Sequence, residues 1–169
     1  MANSFHLILG GARSGKSKLA ERLCSKSGRP VIYIATATAG DEEMAKRIQH
    51  HQQHRATHWR IIEEPTALFS AIQTCQEPDC CILVDCLTLW LSNCLHANCW
   101  QQQRQLFFEG LSTIQSQIVF VSNETGLGII PMGSLTRQFV DEAGFMHQQL
   151  ASLCDKVTLC VAGLPMELK

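Results

Sequence analysis

A chain of 169 residues, 46% hydrophobic and with a formal net charge of −1, has the make-up of a soluble globule that can bury one sizeable core, and residues 1–169 are read as one domain. The near-neutral balance offers no basic stripe for a nucleic acid, and no apolar run is long enough for a membrane span. Charged residues make up only 17% of the chain, below the usual quarter, so part of the surface is expected to be covered by a partner subunit.

Taken in order, the opening Met1-Ala2-Asn3-Ser4 lacks the basic start of a signal peptide. The apolar run Phe5–Leu9 then reads as a buried strand. It leads into Gly10-Gly11-Ala12-Arg13-Ser14-Gly15-Lys16-Ser17, which fits the phosphate-binding P-loop pattern G-x-x-x-x-G-K-[ST]. A helical pattern over about Lys16–Ser25 follows, with Leu19, Ala20 and Leu23 on one side. The motif thus has its strand–loop–helix context. Its glycines let backbone N–H groups approach a polyphosphate, and the helix N-terminus adds partial positive charge. Lys16 is expected to reach the β- and γ-phosphates, and the Ser17 hydroxyl to hold Mg²⁺ brought with ATP or GTP.

Further apolar, β-branched runs recur at Val31–Ala35, Cys81–Val84, Ile118–Val121 and Val157–Val161. They are nearly continuous, as in strands buried on both faces of a parallel sheet. Helical patterns fill the gaps over about Glu42–His54, Thr66–Cys75, Leu87–Leu95, Trp100–Gln115 and Leu135–Leu153. This alternation predicts an α/β doubly wound domain, a mostly parallel sheet with helices on both faces. An antiparallel element near the Cys80 region or the C-terminus also fits. Ligands in such sheets sit beyond the carboxyl ends of the strands, so residues there carry most of the functional weight.

Three strand ends stand out. Asp85 closes Cys81-Ile82-Leu83-Val84-Asp85, either as a Walker-B carboxylate on Mg²⁺ or as the N-cap of the next helix. Ser122-Asn123-Glu124-Thr125-Gly126-Leu127-Gly128 is either a site loop or a polar surface turn. After Val31–Ala35 comes Thr36-Ala37-Thr38-Ala39-Gly40-Asp41, then a segment holding His50, His51, His54 and His58. Those histidines have three readings: a solvated face, a metal site built on the i, i+4 pair His50 and His54, or a covalent nucleophile with arginine nearby. The nine cysteines are odd in number and contain no C-x-x-C, which favours reduced thiols in the cytoplasm. Cys80, Cys81 and Cys86 lie in or beside an apolar strand, where cysteine packs as a small hydrophobe.

The motifs together resemble the bifunctional adenosylcobinamide kinase / adenosylcobinamide-phosphate guanylyltransferase family of cobalamin biosynthesis. The matching stretches are the P-loop itself, Tyr33-Ile34-Ala35-Thr36-Ala37, Asp41-x-Glu43-Met44-x-x-Arg47-Ile48-x-His50-His51, Arg55-x-x-His58-Trp59-Arg60-x-x-Glu63, Asp85-Cys86-Leu87-Thr88, Ser122-Asn123-Glu124-x-Gly126-x-Gly128-Ile129-x-Pro131, Arg137-x-Phe139-x-Asp141-x-Ala143-Gly144, and the tail from Val161. The resemblance implies a RecA-like P-loop fold and a homotrimer. It implies that the γ-phosphoryl of ATP or GTP passes to adenosylcobinamide. It also implies that GMP passes from GTP, through a guanylyl-histidine, to adenosylcobinamide phosphate.

By position in I-x-H-H the nucleophile maps to His50, with His51 as the nearest rival. Ala35, Thr36, Ala37, Arg55 and Glu63 map to nucleotide-contact segments, Glu63 as a candidate acceptor for guanine N–H groups. Asp85 maps to the metal side. His147 departs from the asparagine that the family pattern leads one to expect, and Leu95–Gln115 matches nothing in it. Two further functions stand beside this one: a guanylyltransferase with a weak or absent kinase step, and a non-enzymatic GTP-binding switch, which has no use for a nucleophile at His50.

Overall fold

The computed structural model describes residues 4–38 and 58–169. In chain order the elements are β1 (Phe5–Gly10), α1 (Lys16–Lys26), β2 (Val31–Ala35), β3 (Arg60–Glu63), α2 (Leu68–Cys75), β4 (Cys81–Asp85), α3 (Leu87–His96), α4 (Trp100–Gly110), a 3₁₀ turn (Leu111–Thr113), β5 (Gln117–Asn123), α5 (Ser134–Leu153), β6 (Lys156–Val161) and β7 (Leu164–Glu167). The strands form one sheet in the order β3-β2-β4-β5-β1-β6-β7. Every pair is parallel except β6–β7, which is antiparallel.

Period-two alternation sorts the strand side chains into two layers. Leu7, Leu9, Ile32, Ile34, Ile82, Val84, Ile118 and Phe120 face α2, α3, α4 and α5. Ile8, Val31, Tyr33, Leu83, Val119 and Val121 face the other way, onto Leu19, Ala20 and Cys24 of α1 and onto Trp59. The central strands are buried on both faces, which is why they read as unbroken apolar runs. The thick side is knitted by aromatic rings. Trp90 lies 5.1 Å from Trp100 and 5.1 Å from Phe107, and Phe107 lies 5.7 Å from Phe120. Rings at these separations add to the large apolar area that each buries. Within the segment Leu95–Gln115, Trp100, Phe107, Leu111 and Ile114 are therefore core, while its other face is exposed. The cysteines are unpaired, and all but Cys99 are buried.

The mostly parallel sheet covered on both faces is the architecture expected from the sequence. Two details differ, and a third is decided. Arg60–Glu63 was not expected as a strand; β3 holds only two apolar residues between charged ones and is largely exposed at the sheet edge. The helix expected over Trp100–Gln115 stops at Gly110, where the backbone tightens into the 3₁₀ turn. Of the two places where an antiparallel element fitted, the Cys80 region holds none, since β4 is parallel to both neighbours, and the C-terminal element is β7, where Val161 pairs with Leu164 around a two-residue turn. Ala162 and Gly163 both have positive φ (52° and 80°), as a tight right-twisted hairpin requires.

Candidate active site

The P-loop closes between β1 and α1. Gly15 sits at the helix N-cap with φ 93°, and no side chain caps the helix, so its first N–H groups stay directed at the loop. Gly10 cannot be replaced without displacement. A Cβ there would lie 2.4 Å from Ser14 Oγ and 2.6 Å from the Cys160 carbonyl. The loop is strapped from the β6–β7 side, where Gly163 N–H donates to the Ser14 carbonyl (2.8 Å) and the Cys160 thiol to the same oxygen (3.1 Å). Lys16 Nζ donates to the Gly11 carbonyl (3.1 Å), which holds the ammonium against the loop.

The register puts the other strand ends in one row with it. Gly10 lies opposite Asn123 and Ala35 opposite Asp85, with β5 between the P-loop strand and the Asp85 strand. Asp85 does not cap α3: the N-cap is Cys86, without a side-chain bond. The Asp85 carboxylate instead accepts from the Tyr33 hydroxyl (3.1 Å), and that leaves acceptor capacity free. Burial and the Asp85 charge push the Cys86 thiol up to about 11, so it stays protonated beside that carboxylate. Asn123 Oδ1 and Ser14 Oγ are buried without a hydrogen-bond partner among the described residues. Both stand at the P-loop end of the row.

At the opposite end, β3 brings Glu63 into register with Ala35, so two of the residues singled out in the sequence are neighbours. Glu63 is exposed, while Thr36 is wholly buried and clamps β2 to β4. Its hydroxyl donates to the Cys86 carbonyl (2.7 Å) and accepts from the Cys86 N–H (2.9 Å). Asn93 of α3 reaches the Thr36 and Pro65 carbonyls, and Trp90 Nε1 donates to the Thr66 carbonyl (2.7 Å). Sequence reasoning did not find Tyr33, Asn93 or Trp90 as parts of the site; their partners lie far along the chain and are often backbone atoms. His50, His51, His54, Arg55 and the whole of the expected helix Glu42–His54 lie outside the described residues.

The loop after β5 is anchored at its start. Glu124 N–H donates to the Gly10 carbonyl (3.0 Å), and its carboxylate accepts from Gly126 N–H (2.6 Å). His147, the departure noted in the sequence, lies behind it. Its Nε2 is 2.7 Å from Ser122 Oγ and its Nδ1 is 3.9 Å from the Glu124 carboxylate. Burial pushes the His147 pKa down, and the Glu124 charge only partly offsets this. Ser122 is wholly buried, so this group is a brace between α5 and the loop rather than a nucleophile. Past Glu124 the segment turns apolar and exposed, with Leu127, Ile129, Ile130 and Met132 each at least 78% accessible.

A glycine loop feeding an uncapped helix, with a carboxylate one strand removed on the same edge, is the arrangement of a P-loop nucleotide-binding domain. A family model described as "Cobinamide kinase / cobinamide phosphate guanyltransferase" matches residues 6–168. The chain belongs to that family and is a bifunctional kinase and guanylyltransferase of cobalamin biosynthesis. It is similar to the bifunctional adenosylcobalamin biosynthesis protein CobP of Pseudomonas aeruginosa, with 54% identity over 166 residues and 96% of each chain covered. It is similar to the corresponding protein CobU of Salmonella typhimurium, with 37% identity over 179 residues, 96% of this chain and 98% of that one. Among solved structures it is similar to the RadB recombinase, with a TM-score of 0.48 and 12% identity over 92% of this chain and 73% of that one.

Proposed function

We propose that both transfers run from the one row of strand ends, with His50 as the covalent carrier of GMP. In the kinase step the γ-phosphoryl of ATP or GTP passes to the aminopropanol hydroxyl of adenosylcobinamide. Lys16 and the N–H groups from Gly10 to Ser17 offset the phosphate charge as it shifts. In the guanylyl step the neutral His50 imidazole attacks the α-phosphorus of GTP. An N–P bond forms, the bond to the bridging oxygen breaks, and pyrophosphate leaves. The phosphate of adenosylcobinamide phosphate then attacks that phosphorus and frees His50, giving adenosyl-GDP-cobinamide.

Ser17 and Asp85 are the residues to hold Mg²⁺. The ion keeps water and phosphate oxygens and asks for few protein ligands, so a hydroxyl and a carboxylate at one sheet edge suit it. When bound, it supplies positive charge against the phosphates. Ala35, Thr36, Ala37, Arg55 and Glu63 form the nucleotide-contact end. From Glu63 to Gly10 the row covers four strand spacings, about 19 Å, room for base and phosphates at opposite ends. The observation that carries this reading is the register, which sets Gly10, Asn123, Asp85, Ala35 and Glu63 on adjacent strand ends.

A homotrimer in the cytoplasm completes the reading. The exposed apolar run Leu127–Met132, with Leu164 and Met166 of β7, gives a partner subunit a surface to cover. Among the described residues no helix is long and apolar enough to cross a membrane.

The test is covalent labelling. Wild-type protein and His50→Ala are incubated with Mg²⁺ and GTP labelled at the α-phosphate, then denatured. Label on the wild type alone, lost in acid and kept in base, is the expected outcome. An unlabelled wild type that still binds GTP overturns the histidine route.

A further inference from the structure

We infer that Asn93 is a positioning residue for guanylyl transfer, holding the exits of β2 and β3 at a fixed separation. The inference rests on the reading above, in which those exits form the nucleotide-contact end. Asn93 lies on α3, half-buried, and both polar atoms of its side-chain amide are hydrogen-bonded. Nδ2 donates to the Thr36 carbonyl (2.8 Å) and to the Pro65 carbonyl (3.1 Å), while Oδ1 accepts from the Thr38 hydroxyl (3.3 Å). One side chain therefore ties together three points on two segments that are not consecutive in sequence.

Those points follow directly on residues that matter. Thr36 is itself one of the nucleotide-contact candidates, and Thr38 ends the described part of the β2 exit, from which the chain runs on toward His50. Pro65 stands two residues beyond Glu63. The Thr36 and Pro65 carbonyls converge on one amide nitrogen. Without its two N–H groups, two acceptor oxygens face each other with no donor between them, and the segments must part or admit water.

Nearby bonds fix the Pro65 side but do not replace Asn93. Trp90 Nε1 and the Cys94 thiol hold the Thr66 carbonyl, and Glu64 accepts from the N–H groups of Thr66 and Ala67. None of these reaches β2. The Glu64 N–H does, through the Ala35 carbonyl (2.9 Å), at the end of the strand ladder, and Thr36 is tied to β4 by its N–H on the Asp85 carbonyl and its hydroxyl on Cys86; Asn93 is the side chain that links the Thr36 carbonyl and Thr38 to the Pro65 segment.

The P-loop end does not depend on Asn93. Its fixing bonds are Gly163 N–H to Ser14, Glu124 N–H to Gly10, and Asn123 N–H to Thr88 Oγ1. Because Glu63 at the β2–β3 end is read as the acceptor for guanine, which the ATP-driven transfer does not carry, the two transfers should separate when Asn93 is changed. Asn93→Asp keeps the shape and the acceptor for Thr38, yet sets a carboxylate oxygen against two carbonyls. Asn93→Ala removes all three bonds and leaves room for water. Thr38→Val removes only the weakest bond.

The experiment measures both transfers on each full-length protein. Phosphorylation of adenosylcobinamide is followed with ATP, and guanylyl-enzyme formation with α-labelled GTP, alongside thermal midpoints. A misplacement of about an ångström costs roughly 100-fold in rate. We expect guanylyl-enzyme formation to fall roughly 10- to 100-fold in Asn93→Asp, less in Asn93→Ala and little in Thr38→Val, with ATP-dependent phosphorylation within about twofold of wild type. If Asn93→Asp does not fold, Asn93→Ala carries the same test. Wild-type labelling rates in both Asn93 variants overturn the inference alone. Equal losses of the two transfers in step with the thermal midpoint also overturn it and leave Asn93 a packing residue. An unlabelled wild type overturns the underlying reading and this inference with it.

Discussion

At the β1 end of the strand row the ligand-facing loop is held by main-chain groups, with Gly163 N–H on Ser14, Glu124 N–H on Gly10 and Leu19 N–H on Gly15. At the β2–β3 end the chain is held by side chains from neighbouring elements: Thr36 on Cys86, Asn93 on Thr36 and Pro65, Trp90 on Thr66. The first kind of support depends on backbone shape, so it demands glycines at fixed places. The second depends on a few polar side chains buried against apolar ones. The difference teaches where each end is fragile: a Cβ breaks the first, and a lost donor or acceptor breaks the second.

The largest expected effect is at the main-chain end. Gly10→Val drives a branched side chain into Ser14 Oγ and the Cys160 carbonyl, 2.4 and 2.6 Å from the Cβ position. Overpacking of this kind costs about 1–3 kcal/mol. Both transfers should be lost, and the thermal midpoint should fall by about 2–4 °C per kcal/mol. A variant with either activity intact would show that the loop is not rigid.

Thr36→Val probes the other end. It leaves the Cys86 N–H unpaired in a buried position, while the Cys86 carbonyl loses the threonine hydroxyl but keeps the Trp90 N–H. The expected loss is about 1–3 kcal/mol, read by urea denaturation, with guanylyl transfer reduced more than ATP-dependent phosphorylation. Trp90→Phe keeps most of the ring packing and drops the bond to Thr66. A stability loss near 1 kcal/mol is expected, with guanylyl transfer again the more affected.

The smallest effect concerns His147, which braces the loop between the two ends. Burial lowers its pKa in the folded protein, so below about pH 6.5 the unfolded chain binds a proton that the native state refuses. Stability therefore rises with pH through the interval between the lowered folded pKa and the ordinary one, and falls as acid is added. His147→Asn should flatten this acid limb in a thermal-midpoint series, while leaving the midpoint's dependence near neutrality unchanged.

The same contrast explains how much the sequence disclosed. The P-loop motif, the five central strands and the helix pattern were legible because glycine spacing and unbroken apolar runs are local signals. Asp85 was legible as a strand-end carboxylate, and the structure decides against its role as a helix cap. β3 was not legible, because an edge strand with two exposed charged ends shows neither an apolar run nor clean alternation. β7 left a signal in Ala162-Gly163, a turn pair between two apolar stretches, from which no strand was placed. Asn93 could not be read at all: two of its three partners are backbone carbonyls 28 and 57 residues away, and no residue pattern records them.

The central claim is that one P-loop serves both phosphoryl and guanylyl transfer. The most direct test measures the two reactions side by side in Lys16→Ala, with folding checked by its thermal midpoint. The account predicts that both ATP-dependent phosphorylation and formation of the acid-labile guanylyl-enzyme fall by roughly 100- to 1,000-fold, the usual loss when one charge-stabilising donor is removed. Guanylyl labelling at the wild-type rate in a folded Lys16→Ala protein would contradict it, and would mean that GTP is held for the second transfer somewhere other than the Gly10–Ser17 loop.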